Sequence, residues 1–199
     1  MRKRFSALLA VVLLCLLAGC SSKPVPLPEN ENYPMEFTFS SGAGAWRTHL
    51  TLYSNGSFTG EYSDANMGET GKDHPNGTVY HCSFSGQFAM GEPLDIHSFP
   101  MTLTEVTADP APKEEIVDGV LYVAAGPYGL YNDNIEGDGS MSRSFVLYAP
   151  SAPVLGLDEE LLSWWPGRYE EHPPETLSCY ALWNVEAGTA FFTDLQITN

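Results

Sequence analysis

Basic residues are scarce in this 199-residue chain: nine Lys and Arg stand against twenty-five Asp and Glu. Three of the nine, Arg2, Lys3 and Arg4, sit at the extreme N-terminus, which leaves six against twenty-five in all that follows. Such a surface repels phosphate backbones and anionic headgroups, so nucleic acid is not an expected partner. Catalytic signatures are missing as well. Gly139-Ser140-Met141-Ser142 has the wrong spacing for a Gly-x-Ser-x-Gly nucleophile elbow. There is no phosphate-cradling glycine loop, no dinucleotide fingerprint and no His-Glu-x-x-His. The five histidines, His49, His74, His81, His97 and His172, lack ligand spacing, so no metal and no cofactor is expected. His49 and His81 fall on strand faces opposite the aromatic ones, where a histidine is ordinarily just solvated. Acidic loops at Asp64–Asp73 and Asn132–Asp138 resemble calcium loops in their alternate oxygens. Their closing positions hold Pro75 and Arg143 instead of glutamate, and turn chemistry explains both.

What is present begins at the front. After the basic head, the twelve residues Ala7–Ala18 carry no charged or strongly polar side chain. That run is too short for a hydrocarbon core, which takes about 20 residues. A basic head, a short apolar middle and small residues before a cleavage point make an export signal. Leu17-Ala18-Gly19-Cys20 resembles the lipobox of bacterial lipoproteins. The resemblance implies a signal peptide over residues 1–19, cleavage before Cys20 by signal peptidase II, and lipidation of Cys20. Acyl chains contribute ~0.8 kcal/mol per buried methylene, so two or more hold a protein on a membrane almost permanently. The expected location is therefore the extracytoplasmic face of the cell membrane. An ordinary secretory signal with Cys20 left over is the competing reading, and the small residues directly before Cys20 argue against it.

Ser21–Pro34 holds four prolines in fourteen residues and no apolar period, so residues 20–34 read as a lipidated tether. Extended, it holds the body up to about 40 Å off the bilayer. Residues 35–199 then read as one domain, with no second linker to divide them. Cys82 and Cys179 lie within that domain, each sharing a strand face with large apolar residues. They are either a disulfide that closes a loop of roughly 100 residues, worth up to ~4 kcal/mol, or two separate buried thiols.

The domain reads as all-β. Trp46, Thr48, Leu50 and Leu52 alternate with Arg47, His49 and Thr51, and Asn55-Gly56 marks a hairpin turn. Tyr80, Cys82, Phe84 and Phe88 share one side of Val79–Met90. Further strands are expected over Met35–Ser41, Pro100–Thr107, Ile116–Ala125, Arg143–Ala149, Leu177–Val185 and Thr189–Ile197, the last two joined at Glu186-Ala187-Gly188. One helix is expected near residues 158–165, capped by Asp158 and stopped by Pro166-Gly167. About nine short strands and one helix suggest an antiparallel up-and-down barrel or a two-sheet sandwich.

Gly44-Ala45-Trp46 at the head of the first long strand resembles the Gly-x-Trp opening of lipocalins and related calycins. That resemblance implies that Trp46 closes one end of a barrel, while Tyr80, Phe84 and Phe88 line or fill an interior for small apolar ligands. Two departures stand beside it: no second lipocalin signature occurs, and the expected helix precedes the final hairpin. The function expected is a non-catalytic binding module for a small apolar ligand or glycan. The alternatives are an envelope protein that works through protein contacts and, less favoured, a glycan hydrolase. Trp164-Trp165 could stack on sugar rings, but a short helix needs an apolar face to bury, and sealing is the preferred role.

Overall fold

The computed structural model describes residues 33–109, 112–132 and 140–194. The lipobox, the tether up to residue 32 and most of the loop beginning at Asn132 lie outside the described residues. Twelve strands form: β1 (Met35–Ser40), β2 (Trp46–Leu52), β3 (Ser57–Asn66), β4 (Thr78–Met90), β5 (Ser98–Ala108), β6 (Glu114–Val117), β7 (Val120–Ala124), β8 (Tyr131–Asn132), β9 (Ser140–Met141), β10 (Ser144–Tyr148), β11 (Ala181–Asn184) and β12 (Thr189–Thr193). Eight of them, β1–β5 and β10–β12, follow one another around a ring, each antiparallel to its neighbours. The pairing of β1 with β12 closes it, with Phe37 opposite Thr193. The fold is a closed up-and-down barrel rather than a sandwich. Closure leaves no free edge among these eight strands for another chain to pair with.

Local chemistry explains the turns. Gly56, at φ +82°, follows Asn55, whose Oδ1 accepts hydrogen bonds from the Ser57 N–H and hydroxyl. Glycine reaches that backbone region without a Cβ clash. The expected strand over Ile116–Ala125 is in fact a hairpin. Asp118 and Gly119 both adopt positive φ, 50° and 76°, and place Val117 opposite Val120. Asp-Gly suits such a two-residue turn. β7 then runs parallel to the first residues of β4, on the edge that β5 reaches only from Phe84 onward.

An eight-stranded barrel has an interior just wide enough for side chains. Seven phenylalanines occupy it here: Phe37, Phe39, Phe58, Phe84, Phe88, Phe145 and Phe191, all nearly inaccessible. A second core lies outside the wall. Residues 149–180 fold back over β11 and β12, carrying α1 (Glu159–Trp164) and a single 3-10 turn (Pro166–Tyr169). Asp158 caps α1 by accepting the Glu160 N–H at 2.8 Å. Leu161, Leu162, Trp165 and Leu177 meet the outward Ala181, Trp183, Ala190 and Phe192. This explains why β11 is buried at every position rather than at alternate ones.

One barrel end is closed by a loop. Pro127–Leu130, between β7 and β8, crosses the mouth and inserts Leu130 into the core. Thr48 donates its hydroxyl to the Tyr128 carbonyl, and Asn184 Nδ2 and Thr189 Oγ1 both donate to the Gly129 carbonyl, each at 2.9 Å. Asn184 is fully buried, and its Oδ1 accepts the N–H groups of Glu186 and Ala187 in the turn before β12. Asn184→Ala removes three hydrogen bonds, one of them fully buried. A urea titration should therefore show stability lower by about 2–3 kcal/mol with an unchanged m-value. A loss within experimental error would mean that the loop is held by packing alone.

Candidate functional site

The closed end gathers aromatic rings from across the sequence. Trp46 lies half-buried there, with ring centroids 4.8 Å from Phe39, 5.2 Å from Tyr128 and 6.3 Å from Trp164. Tyr128 also stacks on Phe39 at 5.7 Å and meets Tyr62 at 5.3 Å. The Trp164 indole is fixed by donating Nε1–H to the Gly188 carbonyl at 2.9 Å. Tyr62 is pushed up to about 12, mainly by burial and then by Asp64 and Tyr128.

The other residues singled out from sequence are placed differently. Phe84 and Phe88 fill the interior, tilted or edge-on to Phe58 at 6.3 and 4.9 Å, with Phe145 5.1 Å from Phe88. They belong to the buried core, almost inaccessible to solvent. Tyr80 does not reach the interior. The β3–β4 hairpin overshoots the barrel, and there the Tyr80 hydroxyl meets both Glu69 carboxylate oxygens at 3.0 Å. The Cys82–Cys179 bridge is not formed; both thiols are free. The barrel wall separates them, since Cys82 belongs to the interior core and Cys179 to the outer one. Among the described residues no group of three or more His, Cys, Asp or Glu converges as a metal would need, and no helix is long and apolar enough to cross a membrane.

The grooves among the described residues include three half-open ones. One, about 870 Å³, runs between β1 and β12 on one side and α1 with its following 3-10 turn on the other. Phe39, Trp164, Pro166, Tyr169, Ala190 and Phe192 supply its carbon surface. Most of its polar groups are engaged by the protein itself. Ser163 Oγ donates to the Glu160 carbonyl, Tyr169 donates to the Ser163 carbonyl, and Ser40 and Thr193 hydroxyls accept the N–H groups of Gly42 and Tyr180. A smaller groove of about 300 Å³ lies on the other flank of Trp164, with Tyr128, Tyr131 and Glu160. The third, about 530 Å³, opens on the outer face of β1–β4 and is lined by Arg47, His49, Glu61 and His81 among others. Among the described residues, each groove is lined by one carboxylate: Asp194, Glu160 and Glu61 respectively.

Compared with known proteins, the chain matches no family model, no curated protein and no solved structure, so the chemistry of these grooves carries the functional argument.

Burial without a charged partner raises the Cys179 thiol from 9.0 to about 11. The unfolded chain therefore ionises this group before the folded one does, and the stabilising difference, intact below pH 9, is lost as pH rises toward 11. Denaturation midpoints measured from pH 8 to 11 should fall over that window, and Cys179→Ala should flatten the fall. An equally steep decline in Cys179→Ala would assign it to other groups.

Proposed function

We propose that this protein is a membrane-anchored, extracytoplasmic lipoprotein whose barrel holds a small apolar ligand in the outer groove beside Trp164. The observation that carries the reading is the engagement of that groove's polar groups. Hydroxyls and the indole N–H turn to protein partners, so the surface left for a ligand is mostly carbon and ring faces. A sugar needs convergent free donors and acceptors, and this groove offers few. The packed interior argues the same way, because it directs a ligand outward.

Several hundred cubic ångströms is the usual scale of small-molecule sites. A ligand of about 20 heavy atoms, at roughly 0.3 kcal/mol each, binds with about 6 kcal/mol, a Kd on the order of 50 μM. Hydrolysis of a glycan ordinarily needs two opposed carboxylates, and the described lining of each groove offers one.

Two experiments test the proposal. A neutral, environment-sensitive dye such as N-phenylnaphthylamine should bind saturably, at one site per chain. Tyr169→Ala, at a position 73% exposed, should weaken it severalfold without unfolding the protein. Dye binding that is unsaturable, or indifferent to Tyr169, defeats the groove assignment. For the anchor, radiolabelled palmitate should enter the protein through Cys20, and globomycin should cause the precursor to accumulate. A Cys20→Ala protein that stays fixed to the membrane defeats the lipid reading.

A further inference from the structure

We propose that the outer face of β1–β4 is a second, separate binding site, for a small organic anion bearing a carboxylate or phosphate, with Arg47 as its principal contact. The strand register builds it. Ser40, Arg47, Ser63 and His81 stand directly opposite one another across four strands, and Thr38, His49, Glu61 and Ser83 form the next outward row, two residues along each strand. Ser63 lies between Arg47 and His81, so a short side chain separates two long ones and leaves a well of about 530 Å³. Directly opposed residues lie ~5 Å apart at Cβ, so an anion seated over the Ser63 hydroxyl is within reach of both neighbours.

Two features set this groove apart from ordinary solvated surface. First, its outward polar side chains are free of hydrogen bonds to the protein, although His81 packs its ring edge-on against Tyr122 at 5.9 Å. Among the described residues, Arg47, His49, Glu61, Ser63 and His81 make no side-chain hydrogen bond, and the one salt bridge joins Arg168 to Glu159. That is the reverse of the groove beside Trp164. Secondly, cations are rare after the N-terminus, yet an unpaired guanidinium and two of the five imidazoles meet here. A guanidinium presents a fixed fork of donors suited to carboxylate or phosphate, and an imidazole donates through N–H in either charge state. Glu61 opposes His49 in the register and accepts a hydroxyl or ammonium from the same ligand, favouring a polyhydroxylated or amino acid over a bare inorganic anion. The overall negative charge opposes approach at long range, but screening over ~8 Å leaves the contacts in the groove to decide affinity.

Calorimetric titration of the full, detergent-solubilised protein with glucuronate, glycerol 3-phosphate and neutral glucose tests this. At least one anion should bind at one site per chain, and glucose should not. Arg47→Gln should weaken anion binding by about tenfold or more, since it removes a charge-assisted contact. His81→Gln should weaken it severalfold, while Lys113→Gln, elsewhere on the surface, should leave it unchanged. Dye binding beside Trp164, retained in both groove variants, shows that they are folded and keeps the two sites distinguishable. Absence of saturable anion binding at millimolar ligand, equal binding of glucose, or affinity unaffected by both Arg47→Gln and His81→Gln would overturn the proposal.

Discussion

The closed end of the barrel depends on two adjacent carbonyls. Tyr128 and Gly129 offer their oxygens to Thr48, Asn184 and Thr189, which come from β2, the end of β11 and the start of β12. A loop crossing a barrel mouth would otherwise bury backbone groups with no partner, at about 1–3 kcal/mol each. Gly129 is required there twice over. Its φ is +89°, and a Cβ would come within 2.8 Å of the Phe191 ring and 3.0 Å of Phe39. With the backbone held, Leu130 seals the core and Tyr128 completes the ring cluster around Trp46.

The same anchoring shapes the surface. Asn184 links the loop to the β11–β12 turn, and Gly188 in that turn receives the Trp164 indole. Trp164 thus stands at a fixed angle between two grooves instead of collapsing onto the wall. Where residues 149–180 cover β11 and β12, the wall becomes apolar on both faces, and the edge of that cover forms an apolar groove. Across β1–β4 the outward row holds the polar Arg47, His49, Glu61 and Ser63, none of which bonds a protein partner. One barrel therefore presents two surfaces of opposite chemistry, separated by little more than β1, whose Thr38 borders both.

Local signals in the sequence were sufficient for the elements. Asn55-Gly56, the Asp158 cap and the period-two alternation of Trp46–Leu52 each act within a few residues, and each produced the expected turn, helix or strand. Non-local placement was not readable in the same way. Tyr80 shares the parity of Phe84, but parity does not say where a strand outruns its barrel. The loop at Pro127–Leu130 has no period of its own, and its burial comes from donors 55 to 80 residues away. Leu177–Val185 was expected as one strand, whereas only Ala181–Asn184 pairs; Leu177 instead bonds back to Ala152 in the outer layer. His49 and His81 are assignable to outward faces, yet the placing of His81 beside Arg47 follows from the register of two strand pairs, β2–β3 and β3–β4.

An eight-stranded wall whose inner face is packed solid has only its outer face and its ends left for recognition. A purely structural barrel gains by pairing or solvating outward polar groups evenly, because clustered unpaired charge opposes folding. Here Arg47, His49 and His81 line one concavity on four adjacent strands, on a chain otherwise short of cations. A ligand bound there as proposed would order only a few side chains, because the ladder fixes the strands and the core backs them.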